Sequence, residues 1–190
     1  MKNKLLIFAL IAAVSAHAEG LTNILSFTTE TKIKGPFTEV DGQLYFACEK
    51  GGALNYGYIG KFNPTAGTIT PLYEFPATST GIKAEARPVW FEGQLYYAAR
   101  EGGDPTQLSG KGAGAIGTID LKAGTVTKLV DLDAATNVAK IKTLLPFNGR
   151  LYYTGEEGGD LWLNSGKGFG GLGYYEPAHN AFSGYSSVTV

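Results

Sequence analysis

Large apolar side chains recur along this chain in short alternating runs, each bounded by glycine-containing turns. One run is Leu44-Tyr45-Phe46-Ala47-Cys48, and it returns as Leu95-Tyr96-Tyr97-Ala98-Ala99 and as Leu151-Tyr152-Tyr153-Thr154-Gly155. Each is followed by two charged or polar residues and a glycine pair: Glu49-Lys50-Gly51-Gly52, Arg100-Glu101-Gly102-Gly103 and Glu156-Glu157-Gly158-Gly159. The copies start 51 and then 56 residues apart. Self-similarity at such a period marks a repeat architecture, with each copy about the size of a propeller blade.

Each copy reads as four short strands. The first ends at Asp41-Gly42, Glu92-Gly93 or Asn148-Gly149, two-residue hairpin signals in which both residues need a positive φ. The Leu-Tyr-aromatic run is the second strand, and a glycine-rich loop follows it. The third strand is Tyr58–Phe62, Ala115–Ile119 and Gly171–Tyr175. After a second turn, the fourth runs over Thr68–Phe75, Thr125–Leu132 and Ala181–Val188. The repeats therefore occupy about 36–77, 87–133 and 143–190, and Leu21–Thr28 resembles a spare fourth strand. The predicted fold is all-β: a propeller-like array of three four-stranded antiparallel blades plus one extra N-terminal strand. The recurrent Tyr45, Phe46, Tyr96, Tyr97, Tyr152 and Tyr153 are expected to pack between blades, and Trp90, beside Val89 and Phe91, is expected to pack as well.

The order Leu-Tyr, Gly-Gly, apolar-Gly-x-apolar and Asn-Pro-x-x-Gly, clearest over Leu44–Phe75, resembles the GloVer tandem repeat. The resemblance covers about Leu21 to Val190 and implies β-propeller blades in an exported bacterial protein. It implies no activity, because propellers carry unrelated functions. Repeats two and three have longer loops than the family pattern, and three repeats are fewer than the four to eight blades of ordinary propellers. The expectation is that this is part of a longer protein; the alternative is a homo-oligomer in which copies close a ring.

The first 18 residues have the form of a cleaved signal peptide. Lys2 and Lys4 precede the apolar run Leu5–Val14, and Ala16-His17-Ala18 is a cleavage site. The expected compartment is therefore periplasmic or extracellular, with residues 19–190 as the repeat domain. No cysteine lies near the cleavage site to carry a lipid, and no later run is long enough for a membrane-spanning helix. The formal charge is −1 and falls further on cleavage, which gives no general attraction for nucleic acid. Cys48 is the single cysteine, expected to be buried and inert.

Chemistry is sparse. His17 leaves with the signal, so His179 alone cannot supply a triad or a histidine metal site. No EF-hand loop is present, and no cofactor, metal or catalytic residue is assigned. Ser109-Gly110-Lys111-Gly112 and Ser165-Gly166-Lys167-Gly168 fail the P-loop pattern, which needs Ser or Thr after the lysine and then a helix. Up-and-down topology gathers Glu49–Tyr56, Arg100–Gly114 and Glu156–Gly170 at one mouth, where loop-borne sites collect. The candidate ligand residues are Arg100, Glu101, Lys111, Glu157, Asp160, Trp162 and Lys167, facing a glycan, peptide or protein partner. The favoured function is a non-enzymatic binding or scaffolding module. The alternatives are an exported hydrolase using Glu101, Glu157 and Asp160, and a purely structural segment of a larger surface protein.

Overall fold

The computed structural model describes residues 26–27, 30–76, 81–136 and 138–185. The signal peptide expected at 1–18, most of the extra strand expected at 21–28 and the end of the last expected strand lie outside them. Among the described residues, thirteen strands form three antiparallel sheets. In the first, β1 (Lys32–Val40), β2 (Gln43–Lys50), β3 (Tyr58–Asn63) and β4 (Thr68–Glu74) pair in chain order. In the second, β5 (Ile82–Ala84) and β6 (Val89–Phe91) both pair with β7 (Gln94–Glu101), followed by β8 (Ala115–Asp120) and β9 (Thr125–Asp131). The third is β10 (Val138–Phe147), β11 (Arg150–Gly158), β12 (Gly171–Glu176) and β13 (Ala181–Tyr185).

The first hairpin of each sheet turns as the sequence demands. Asp41 and Gly42, Glu92 and Gly93, and Asn148 and Gly149 all take positive φ, between 47° and 77°. The first strand of the second sheet departs from the pattern: it is broken into β5 and β6 around Glu85–Pro88, where Pro88 has no N–H to give a ladder. Trp90 also departs from expectation. Val89 and Phe91 turn inward, so the two-residue period sends Trp90 the other way, and it is 38% exposed.

Each sheet carries one aromatic side chain laid over a glycine of the next strand. Phe46 faces Gly60, Tyr97 faces Gly117 and Tyr153 faces Gly173 across their ladders. All three aromatics are fully buried. A Cβ at Gly117 would meet the Tyr97 hydroxyl at 2.5 Å and the Thr127 carbonyl oxygen at 2.7 Å. The apolar-Gly-x-apolar pattern is thus a seat for the ring of the strand before it.

Alternation along β2, β7 and β11 then sorts the faces. Tyr45, Ala47 and Ile59 of the first sheet pack against Leu95, Tyr97 and Ala99 of the second, with Tyr73, Phe75 and Tyr97 forming an aromatic cluster at centroid distances of 5.1–5.9 Å. Tyr96, Ala98 and Ile116 on the other side of the second sheet pack against Val138, Ile141, Leu151 and Tyr153 of the third. Phe46 and Tyr152 do not pack between described sheets as expected. Phe46 lies on the outer face of the first sheet with Phe37 and Tyr58, and Tyr152 on the outer face of the third with Phe147 and Tyr174. Cys48 is buried beside Phe46, and burial pushes its thiol up to about 11. Among the described residues, no helix is long and apolar enough to cross a membrane.

Candidate functional site

The two long loops have the same backbone, 56 residues apart. In each, three successive residues take positive φ: Leu108, Ser109 and Gly110 at 46°, 59° and 85°, and Asn164, Ser165 and Gly166 at 50°, 56° and 85°. Left-handed conformation at a non-glycine residue costs about 1–2 kcal/mol, so the rest of the loop must hold it. It does so through matched bonds. Gly102 N–H donates to the Lys111 carbonyl at 2.7 Å and Gly158 N–H to the Lys167 carbonyl at 2.6 Å. Gly112 N–H donates to Gln107 at 3.1 Å, and Gly168 N–H to Leu163 at 3.2 Å. Glycine is required at the loop base, because a Cβ on Gly112 or Gly168 would fall on the backbone of Gly102 or Gly158.

These loops enclose a cleft of about 300 Å³ above the junction of the second and third sheets. Ser109 and Lys111 line it from one loop, Ser165 and Lys167 from the other, with Arg100, Glu101 and Glu157 at the strand ends below. Leu108 is the single large apolar side chain in its wall. Of the residues predicted from sequence, Arg100, Glu101, Lys111, Glu157 and Lys167 therefore come together. Asp160 and Trp162 do not line the cleft. The Asp160 carboxylate accepts the Trp162 backbone N–H at 3.0 Å, closing a local turn, and Trp162 stands 96% exposed on the same loop. The loop of the first sheet stays apart, with Gly51–Leu54 and Gly57 lining a separate shallow depression beside Glu74 and Phe75.

The residue missed by sequence reasoning is Lys140, which lines the cleft with its side chain 3% exposed. It sits at φ 59° in β10, and its N–H donates to the Ala113 carbonyl in the preceding sheet's loop at 3.0 Å. Lys83 is its counterpart one sheet earlier, at φ 58°, with its N–H donating to Tyr56 at 2.8 Å. A lone lysine flanked on both sides by buried apolar residues, Ile82-Lys83-Ala84 and Ala139-Lys140-Ile141, is the signal that would have found them. Both lysines converge on Glu101. Lys83 Nζ donates to its Oε2 at 2.6 Å, and Lys140 Nζ lies 3.9 Å from Oε1 while donating to the Gly112 carbonyl at 3.1 Å.

Arg100 ties Glu101 to a second set of charges. It reaches Glu101 at 3.1 Å, Glu85 at 3.5 Å and Glu156 at 3.2 Å, and Lys142 joins the last two at 2.5 and 3.1 Å. Burial pushes the Glu101 carboxyl up, but the Lys83 hydrogen bond and the charges of Lys140, Lys83 and Arg100 outweigh it, so it lies below the usual carboxylate value. Lys140 is lowered by burial first, with Arg100 and Lys111 adding to the fall and Glu101 and Glu157 opposing it. Chemically, the site is a polar cleft with an ionised, fully engaged carboxylate at its base and ammonium groups above. Among the described residues, no cluster of three or more His, Cys, Asp or Glu has the geometry of a metal site.

No family model matches this chain, and no curated protein is similar to it. Among solved structures, it is similar to the extracellular domain of a putative one-component system from B. thetaiotaomicron. The TM-score is 0.54 at 16% identity, over 88% of this chain and 18% of that one. It also aligns with the Bacteroides ovatus xyloglucan PUL GH43B, with a TM-score of 0.47 and 12% identity over 83% of this chain and 29% of that chain. The first likeness is one of fold, and this chain spans less than a fifth of that protein.

Proposed function

We propose that this chain is an exported binding module, periplasmic or extracellular, whose sheets are β-propeller blades of the GloVer type and whose ligand site is the cleft between the twin loops. The observation that carries this reading is the cleft itself: two loops of one backbone design present matched Ser and Lys side chains over a buried lysine. Rigid sheets hold these loops, and their positive-φ turns are fixed by backbone bonds before any ligand arrives, which lowers the ordering cost of binding. The partner is polar, a glycan or a peptide segment.

The state of Glu101 removes it as the acid of a hydrolase. A glycosidase needs one carboxyl held protonated near neutral pH and a second held ionised. Glu101 is held ionised by three cations, and Asp160 caps a turn of its own loop and does not line the cleft. Binding is tested by titrating the exported protein with glycan and peptide libraries and mapping backbone amide shifts by NMR. Shifts confined to 102–114, 138–142 and 157–170 support the reading. Ligands that bind and shift only the outer faces of the sheets overturn it.

A further inference from the structure

The charges in the cleft do not cancel. Arg100 and Glu101 are engaged with each other and with Lys83, Glu85 and Glu156. With Lys142, which pairs with Glu85 and Glu156, that network balances. Lys111, Lys140 and Lys167 then outnumber Glu157 among the remaining charged groups of the lining, although Lys140 also lies 3.9 Å from Glu101. Among the described residues, neither Lys111 nor Lys167 forms an ion pair, and both ammonium groups are free to point at a ligand. Lys140 is short of partners in a different way. An ammonium carries three donors, yet among the described residues this buried one meets a single carbonyl at hydrogen-bond distance and one carboxylate at 3.9 Å. A buried charge left so incompletely paired is costly, and an oxyanion above it would complete its shell.

The rest of the wall narrows the class. A single large apolar side chain, Leu108, and two hydroxyls, Ser109 and Ser165, suit a hydroxyl-rich ligand more than an apolar peptide side chain. The volume suits about one sugar ring, and Trp162 is exposed on the loop that carries Lys167, where an aromatic face can take a neighbouring ring.

We infer that the ligand is an acidic saccharide, its carboxylate or sulfate ester held among Lys111, Lys140 and Lys167 and its hydroxyls met by Ser109, Ser165 and Glu157. This rests on the reading that the cleft is the binding site.

The test is calorimetric titration of the exported protein with trigalacturonate, its neutral methyl ester and galactose 6-sulfate. The expected result is binding of the first or third, with the ester at least about tenfold weaker than the acid where the carboxylate is the anchor. Lys111→Gln and Lys167→Gln, both on exposed loop positions and with circular dichroism unchanged, each weaken the anionic ligand by about tenfold. Tight binding of trigalacturonate assigns the carboxylate; tight binding of galactose 6-sulfate with weak trigalacturonate assigns the sulfate ester. Equally tight binding of acid and ester, or lysine variants that bind the anionic ligand as the wild type does, overturns the inference. In that case loss of binding in Glu157→Gln would leave the cleft standing as a site for a neutral ligand. Absence of heat with all three probes also overturns the acidic class, and the library titration above then decides the cleft separately.

Discussion

The two junctions between sheets share one plan and end in different chemistry. In both, a lysine at positive φ in the incoming first strand donates its N–H to the loop of the sheet before it, to Tyr56 at the first junction and to Ala113 at the second. At the first junction that loop is short, and the Lys83 side chain stays 36% exposed with Glu101 as its close partner. At the second, the longer loop folds over the lysine, leaving Lys140 at 3% exposure and 3.9 Å from the same carboxylate. A few added loop residues thus turn the lysine from a half-exposed ion-pair partner into the floor of a cleft. Loop length, more than the residue at the strand, decides which junction can hold a ligand.

Removing the carboxylate common to both junctions should have the largest effect. Glu101→Gln leaves Lys140, Lys83 and Arg100 without their shared counter-charge, at a cost of about 3 kcal/mol read from urea unfolding. Because the Glu101 carboxyl is lower folded than unfolded, its contribution is complete above the unfolded value near about pH 4.3 and fades as pH falls below it. The gap between wild type and variant should therefore close in acid; a gap that persists there would show that packing, not charge, was lost.

Gly117→Ala comes next. The new methyl group meets both the Tyr97 side chain, at the core of the first junction, and the Thr127 backbone. The cost is about 1–3 kcal/mol, and the tyrosine contact should be relieved in part by Tyr97→Leu in the same chain. Lys83→Met, at the exposed junction, should cost under about 1 kcal/mol. Lys140 distinguishes the junctions by pH instead. Affinity for an acidic ligand should fall as pH rises toward, but before reaching, the ordinary lysine value of about 10.4, because burial, Arg100 and Lys111 lower this group against Glu101 and Glu157. An affinity flat to that value would mean Lys140 takes no part. The smallest change is Trp162→Ala, within about 0.5 kcal/mol of wild type in unfolding, since the ring is 96% exposed.

Much of this architecture was legible because the turns are chemically demanding. Asn-Gly, Asp-Gly and Glu-Gly between apolar runs leave few options, and strand alternation then assigns Tyr45, Tyr96, Tyr97 and Tyr153 to sheet interiors. Alternation could not say that a face lacks a described neighbour, and so Phe46 and Tyr152 were placed between sheets. The cleft was half legible. Glu101 and Glu157, and Lys111 and Lys167, hold equivalent positions in two repeats, Arg100 stands beside Glu101, and up-and-down topology brings such loops together. Lys140 escaped because a lysine inside a strand reads as solvent-facing; only the positive-φ step in β10, tied to the loop of another sheet, turns it inward. Asp160 was over-read because its carboxylate closes a turn on its own loop, a local role that charge alone does not reveal.

The ring seated on a glycine gives every sheet a direction. Tyr97 and Tyr153 lie on the face turned toward the preceding sheet, and Phe46 takes the matching face of the first sheet; Tyr96 lies on the face turned toward the following sheet, and Tyr152 takes the matching face of the third. Each sheet thus has a leading and a trailing side, and the two are not interchangeable. The outer face of the first sheet is a leading side and that of the third, with Leu145, Phe147 and Leu172 exposed, is a trailing side. A further sheet that packed as these three do would add in the same sense, as a link in a one-way series. Association through two like faces would break that polarity, whereas head-to-tail addition preserves it and can close only by rotation.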